Sequence, residues 1–235
     1  MRINKYLASL GIASRRKIDE MVEEGRVKVN NKVASVGQLI DPQKDQLTVD
    51  DKKVQNRGEP KVYIVLNKPT GYTSTAAKIK GEKNVLELVS SKVRLYPVGR
   101  LDRDSTGLIL LTNDGELALK LTHPKFHIPK TYEVKVLGGV SATQLEMMRK
   151  GIKLEDGITK PADVKIKSQS LPRHSILEIT LYEGKKRQIR RMTAALHLHV
   201  VELKRISIGP IKMGSLSLGK FRNLSQEEFE EIKKV

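Results

Sequence analysis

Residues 99–115 read Gly-Arg-Leu-Asp-Arg-Asp-Ser-Thr-Gly-Leu-Ile-Leu-Leu-Thr-Asn-Asp-Gly, and this stretch is the most informative part of the chain. The apolar run Leu108–Leu111 predicts a strand buried in a sheet, because short unbroken apolar runs suit a core strand. Asp102 stands just before this strand, between Arg100 and Arg103. Two neighbouring guanidiniums favour the ionised form of a carboxylate, which suits a nucleophile or a charge stabiliser. The alternative interpretation, an aspartate that closes a turn, fits most Asp-Ser-Thr-Gly strings.

The charge of the chain indicates a polyanionic partner. Its 235 residues include 44 Lys and Arg against 27 Asp and Glu, a formal net charge of +17. Nucleic acid is favoured over a membrane, because no apolar run approaches a spanning length and no signal-type segment follows Met1. The lack of cysteine excludes disulfides and thiolate metal sites, and together these features predict a cytoplasmic protein.

The first 58 residues are predicted to form a small module of their own. Hydrophobic residues at helical spacing predict two short helices, the second capped by Ser14. The alternating stretch 26–29 predicts a strand that is followed by a tight Asn-Asn turn. The polar residues 51–60 include Gly and Pro and predict a linker to a second domain over residues 59–235.

The second domain is predicted to mix strands and helices. Val62–Leu66 and Leu108–Thr112 read as buried strands, and Ser141 and Ser225 begin helices with capping-box patterns. The strands have several antiparallel neighbours and few crossover helices. This arrangement favours an α+β fold over a doubly wound α/β fold.

A strongly basic stretch occupies residues 183–192, Glu-Gly-Lys-Lys-Arg-Gln-Ile-Arg-Arg-Met, and is predicted to open a helix that runs to about His197. Positive side chains at a helix N-terminus oppose the macrodipole, so an internal carboxylate, an RNA phosphate or both are expected there. A surplus of surface lysines explains Lys185 and Lys186. It explains Arg190 less well, because Arg190 lies beside the apolar stripe of the predicted helix.

Tyrosine and histidine are two further residue types that can carry chemistry. Tyr132 opens a strand, where core packing is the ordinary role of a tyrosine. The five histidines are scattered, and no acidic or cysteine partner completes a ligand set, so no metal site is predicted.

With these residues together, the chain resembles the bacterial ribosomal-RNA pseudouridine synthases of the RsuA/RluB type over nearly its full length. Four strings fall in the family's order and spacing: Gly-Arg-Leu-Asp-x-x-Ser-Thr-Gly-Leu (99–108), Lys-Thr-Tyr (130–132), Glu-Gly-x-x-Arg-Gln-Ile-Arg-Arg-Met (183–192) and Val-x-x-Leu-x-Arg-x-x-Ile-Gly-Pro (200–210). The first module resembles the S-four RNA-binding module through three strings: Arg-Ile-Asn-Lys-Tyr-Leu-Ala (2–8), Gly-Ile-Ala-Ser-Arg-Arg (11–16) and Glu-Gly-Arg-Val-Lys-Val-Asn-Asn (24–31).

The resemblance implies a cleft in a mixed, mainly antiparallel sheet, with Asp102 as the essential catalytic acid. It implies that Tyr132 stacks on the target uracil, that Arg190 pairs with Asp102 and that Leu203 packs in the pocket. Arg100 matches the position with which relatives fill the gap left by a flipped base. The shared strings assign further residues to RNA contacts: Lys130, Arg187, Gln188 and Arg191 in the catalytic domain, and Arg15, Arg16, Arg26 and Lys28 in the first module.

The implied reaction converts one uridine of ribosomal RNA to pseudouridine after the base leaves its stack, with large-subunit RNA slightly favoured over small-subunit RNA. An ionised carboxylate can stabilise or capture the positive charge that develops on the sugar, and whether Asp102 acts on the sugar or the base stays open. No redox or group-transfer step occurs, so no cofactor is expected. The resemblance implies a monomer whose partners are ribosomal RNA or assembly intermediates. The alternative is a noncatalytic RNA-binding or ribosome-assembly factor that retains the fold.

The basic charge divides unevenly between the two predicted domains. Residues 1–58 contain 12 basic and 8 acidic residues, whereas residues 59–235 contain 32 and 19. We therefore expect the catalytic domain to contribute much of the nonspecific RNA affinity and the first module mainly to orient the substrate.

Overall fold

A computed structural model of the chain describes residues 1–55, 59–77 and 79–234. The chain forms two compact units. The smaller unit comprises Met1–Val62 with Ser91–Arg94 and Asn113–Gly115, and the larger comprises Tyr63–Ser90, Leu95–Thr112 and Glu116–Val235. The predicted domain boundary after residue 58 falls on residues 56–58, outside the described residues, and stays a prediction.

The smaller unit combines two helices with a four-stranded antiparallel sheet in the order β2-β1-β3-β4. Its elements are α1 (Ile3–Ser9), α2 (Arg15–Glu23), β1 (Val27–Val29), β2 (Lys32–Val33), β3 (Leu47–Val49) and β4 (Lys52–Lys53). Ser14 caps α2 as predicted, since its hydroxyl accepts a hydrogen bond from the Lys17 amide at 3.2 Å. The predicted Asn-Asn turn is confirmed by positive φ angles at Asn30 and Asn31.

The predicted linker over residues 51–60 is wrong in part. Asp50 and Asp51 adopt φ angles of 51° and 60°, and they turn the chain back so that β4 pairs with β3. Aspartate tolerates this left-handed conformation better than most residues. The polar composition of the stretch therefore reflects a tight hairpin as well as a connection.

The larger unit is built on a nine-stranded mixed sheet whose main path runs β11-β12-β8-β13-β7-β5-β15, with β6 and β14 paired to β7 and β13. The β13–β7 pair is parallel and the other pairs of this sheet are antiparallel, which confirms the predicted α+β class. The sheet strands are β5 (Tyr63–Lys68), β6 (Tyr96–Val98), β7 (Thr106–Thr112), β8 (Lys130–Leu137), β11 (Asp163–Ser170), β12 (His174–Leu181), β13 (Val200–Ile208), β14 (Ile211–Lys212) and β15 (Phe221–Asn223).

Outside this sheet, the described residues after Val62 form four helices, one hairpin and two short 3-10 turns. They are α3 (Gly115–Thr122), α4 (Ala142–Lys150), α5 (Gln188–Ala194), α6 (Gln226–Lys234), β9 (Lys153–Leu154) with β10 (Gly157–Ile158), and the turns Val85–Leu88 and Pro124–Phe126. None of the helices that the structure describes is long and apolar enough to cross a membrane. The predicted core strand is confirmed, because the side chains Leu108 to Leu111 of β7 are fully buried.

The helix predicted from Glu183 begins later than expected. Arg187 caps α5 with φ 49° and ψ 36°, so the helix runs from Gln188 to Ala194. The side chain of Gln188 folds back and accepts a hydrogen bond from the Lys185 amide at 3.0 Å. The basic residues 185–187 therefore form the turn before the helix rather than its first turn.

Candidate active site

The acidic loop of residues 99–105 connects β6 to β7 and carries Asp102 at the start of the buried strand. The Ser105 amide donates to the Asp102 carbonyl at 3.1 Å and closes a turn there. The hydroxyl of Ser74 accepts from the Leu101 amide at 3.0 Å and lies 2.9 Å from the Leu101 carbonyl. Asp102 therefore fits both interpretations, the turn-forming residue and the reactive carboxylate. Its backbone closes a turn, while its side chain stays 37% exposed.

Two guanidiniums from the start of α5 face this loop. Arg187 Nη1 lies 3.6 Å from Asp102 Oδ2, and Arg187 Nη2 lies 3.2 Å from Asp104 Oδ2. Arg190 Nη2 lies 3.2 Å from Asp104 Oδ2 and donates to the Asp104 carbonyl at 3.3 Å. The predicted anion beside the basic stretch is thus an internal carboxylate pair.

The structure differs from the ion pair between Arg190 and Asp102 that the resemblance implied. Arg187 contacts Asp102, and Arg190 pairs with Asp104 instead. The reason lies in the left-handed cap, because it aims Arg187 at the loop from just outside the helix. Arg190 extends from the first turn of α5 and meets the carboxylate of Asp104.

Asp104 holds both arginines and is the more tightly bound acid. Burial by itself raises the pKa of its carboxyl group, but the hydrogen bond from Arg187 and the charges of Arg190 and Arg187 lower it, and the net shift is downward. Asp104 is therefore ionised at neutral pH and fixes the two guanidiniums beside Asp102.

Asp102 opens onto a cleft of about 570 Å³ in the larger unit. This volume lies within the range of small-molecule sites, about 300–1,000 Å³. Tyr132 projects from β8, where its backbone pairs with Arg205 of β13 on one side and with Ile179 of β12 on the other. The cleft brings together most of the predicted catalytic-domain site residues: Arg100, Asp102, Lys130, Tyr132, Arg187, Gln188 and Leu203.

Arg191 and Gln188 have structural partners as well as predicted RNA contacts. Arg191 holds the carboxylate of Asp156 with both Nη atoms, at 2.9 Å and 3.1 Å, and so ties α5 to the β9–β10 hairpin. Gln188 Nε2 donates to Glu183 Oε1 at 2.7 Å and shapes the turn before α5. Their contacts with RNA stay predictions.

Sequence reasoning did not single out Lys68, which holds the end of the acidic loop through hydrogen bonds to backbone carbonyls. Its side chain is fully buried, and Nζ donates to the carbonyls of Pro69 at 3.0 Å and Ser105 at 2.7 Å. Burial lowers the pKa of Lys68 to about 8, although the charges of Asp104 and Asp102 oppose the shift. The available signal was a lysine at the end of an apolar strand, just before a Pro-Thr-Gly turn.

Lys130 is a second cation of low pKa in the cleft, and it gives a testable pH dependence. Burial, and then the charge of Arg205, lower its pKa from an ordinary 10.5 to about 8. Between about pH 8 and 10.5 the unfolded chain keeps a proton that the folded chain has released, so this lysine makes the free energy of unfolding rise with pH across that range.

We expect Lys130→Met to remove this contribution. The free energy of unfolding of the wild type, relative to that of the variant, should increase from pH 8 to pH 10.5 and stay constant below pH 8. Urea unfolding of both proteins over pH 7–10.5 measures this difference. A difference that is the same at every pH would contradict the burial of this amine.

Within residues 1–55, 59–77 and 79–234, no group of three or more His, Asp or Glu side chains has the arrangement to hold a metal ion. The sequence-based expectation that no metal or cofactor takes part stays a prediction.

Comparison with known proteins gives matches along most of the chain. The model of the RNA pseudouridylate synthase family matches residues 62–195, and that of the S4 domain matches residues 1–47. An uncharacterised RNA pseudouridine synthase of Aquifex aeolicus is 44% identical over 100% of this chain and 94% of its own length. Ribosomal large subunit pseudouridine synthase B of Bacillus subtilis is 42% identical over 99% and 95%. A crystal structure of a pseudouridylate synthase superposes with a TM-score of 0.72 at 31% identity and covers 99% of both chains.

Proposed function

Because the chain belongs to the RNA pseudouridine synthase family and is therefore an isomerase of uridine in RNA, we propose that its target is a uridine of large-subunit ribosomal RNA. The Bacillus subtilis relative, which carries that substrate in its name, supports the choice. We also propose a cytoplasmic location, which a ribosomal substrate supports. That the enzyme acts as a monomer stays a prediction.

The observation that carries the catalytic assignment is the shared cleft of Asp102 and Tyr132, with Arg187 Nη1 3.6 Å from Asp102 Oδ2. A uridine must leave its helix to reach a carboxylate in a cleft, at a cost of a few kcal/mol. In our proposal Tyr132 stacks on the everted uracil, Leu203 packs against it and Arg100 fills the vacated space. The carboxylate of Asp102 stabilises or captures the positive charge that develops at C1′ as the bond to N1 breaks.

Pseudouridine mapping tests this function. Ribosomal RNA is taken from cells with and without the gene and mapped by carbodiimide adducts and primer extension. We expect one large-subunit position to lose its pseudouridine when the gene is absent and to regain it when the gene is restored. A lost position in small-subunit RNA would correct the substrate, and an unchanged map of all ribosomal RNA would overturn the proposal.

We also propose that the S-four module orients the RNA through its basic residues. Arg15 and Arg16 are exposed on the first turn of α2. Arg26 instead holds the carboxylate of Asp50 through Nε at 2.6 Å and Nη2 at 2.8 Å, and Lys28 Nζ lies 2.7 Å from Asp51 Oδ1. An arginine that is already paired with a carboxylate binds a phosphate less strongly. Arg16 should therefore contribute more to RNA affinity than Arg26.

We expect Arg16→Ala to weaken RNA binding and to reduce the slope of log affinity against log salt by about 1, because one phosphate contact is lost. Arg26→Ala is the matched control from the same module and should change the slope by less. Filter binding of the mapped RNA at several salt concentrations measures both slopes. Equal losses in the two variants would contradict the difference in their roles.

A further inference from the structure

Arg205 is a charged side chain buried within β13, where it lines the cleft. It is only 2% exposed; Nε donates to the Leu108 carbonyl at 2.7 Å, and Nη1 donates to the Arg100 carbonyl at 3.4 Å. Nη2 is also buried, and among the described residues it has no hydrogen-bond partner. Buried donors in folded proteins are nearly always paired, so this N–H group points to a partner that arrives with the substrate.

The surroundings of Arg205 favour an electron-rich partner. Its backbone pairs with Tyr132 on one side and with Gly107, just after the acidic loop, on the other. In the described part of the chain no carboxylate pairs with its guanidinium, whose charge helps to lower the pKa of both Lys68 and Lys130. A buried cation without a carboxylate partner is costly for stability, and such a cost is often found where charge develops during a reaction.

Building on the uridine isomerisation described above, we propose that Arg205 Nη2 donates a hydrogen bond to a carbonyl oxygen of the target uracil as it separates from the sugar. When the C1′–N1 bond breaks, its electron pair stays with the uracil and is shared among N1 and the two ring carbonyl oxygens. The ring then turns, C5 bonds to C1′, C5 loses its proton and N1 gains one. In this scheme Asp102 stabilises the electron-poor C1′, and Arg205 stabilises the electron-rich base.

The fixed position of Arg205 suits this role. Two of its three nitrogens are held by backbone carbonyls, so the guanidinium is fixed in the wall of the cleft before substrate arrives. Removing one such preorganised donor in other enzymes slows the reaction by about 10²–10³-fold.

The test compares two leaving groups. A stem–loop RNA containing the mapped target uridine, and the same RNA with 5-fluorouridine there, are each incubated with excess enzyme. Loss of the parent nucleoside is followed by nuclease digestion and mass spectrometry. We expect Arg205→Met to slow the loss of uridine by about 10²-fold or more. For 5-fluorouridine, the same substitution should slow the reaction by a factor about tenfold smaller. Fluorine withdraws electrons and stabilises the anionic ring, so this leaving group depends less on the hydrogen bond from Arg205.

Lys204→Met is the matched control, since it lies on the same strand with its side chain on the other face of the sheet. It should react at the wild-type rate with both RNAs. If Arg205→Met slowed the reaction of both RNAs by the same factor, Arg205 would have a structural role only, and the proposal would be overturned. A wild type that fails to convert the uridine RNA would instead contradict the proposed function.

A second measurement keeps Arg205 in place and does not depend on the folding of its variant. In a crystal structure of Asp102→Asn bound to the uridine stem–loop, Arg205 Nη2 should lie within about 3.2 Å of a uracil oxygen. A bound uracil whose oxygens contact only other groups would overturn the proposal.

Discussion

Substitution of Asp102 by asparagine is expected to abolish pseudouridine formation. Asparagine keeps the size of the side chain but removes the negative charge that we propose acts at C1′, so the single-turnover rate should fall by about 10⁴-fold or more. The affinity for RNA should stay at the wild-type level, because most of the binding comes from contacts with phosphates. Release of tritium from RNA labelled at uracil C5 measures the rate, and filter binding measures the affinity.

Asp104→Asn is the matched control for this substitution, two residues further along the same loop. Asp104 holds Arg187 and Arg190, so its loss should misplace the guanidinium beside Asp102 and slow the reaction by no more than about 10²-fold. If Asp104→Asn were the more damaging change, the assignment of Asp102 as the essential acid would be wrong.

Gly107→Ala is expected to cause the largest loss of stability. Gly107 has φ +105°, and a Cβ atom there would lie 2.3 Å from the Arg205 carbonyl oxygen and 2.6 Å from the Arg205 amide nitrogen. These atoms belong to the backbone of the parallel partner strand, so β7 and β13 would have to separate. We expect the free energy of unfolding to fall by about 4 kcal/mol or more, as measured by urea unfolding.

Gly138→Ala separates the steric effect from the backbone effect. Gly138 also has positive φ, at +73°, but nothing lies within 4 Å of the Cβ position. Its substitution should therefore cost only about 1–2 kcal/mol, the penalty of a left-handed conformation. If the two alanine variants were equally stable, close contact between β7 and β13 at Gly107 would not be the reason for this glycine.

Local chemistry made much of the fold predictable. The unbroken apolar run of β7, the serine caps at Ser14 and Ser141, and the Asn30-Asn31 turn each depend on neighbours within a few residues. The α+β class followed from strands with several antiparallel neighbours and few crossover helices between them. The site residues of the cleft followed from the four strings of the resembling family, although their roles stay proposals.

The remaining features depend on contacts between distant parts of the chain. No local pattern shows that Arg187 adopts a left-handed cap. This one conformation moves the start of α5 and gives Arg187 the contact with Asp102 that was expected of Arg190. Lys68 donates hydrogen bonds to carbonyls of a loop that begins more than thirty residues later in the chain. Arg205 is separated by about a hundred residues from the carbonyls that hold it. A lysine that ends an apolar strand and an arginine within a mixed strand were the signals that sequence reasoning passed over.

The most direct test of the central claim is the pseudouridine map of ribosomal RNA from cells whose only copy of the gene encodes Asp102→Asn. We predict that the position lost on deletion of the gene is also lost in these cells, while the variant protein accumulates to the wild-type level and still binds the RNA. A map identical to that of wild-type cells would contradict the claim that this carboxylate performs the isomerisation.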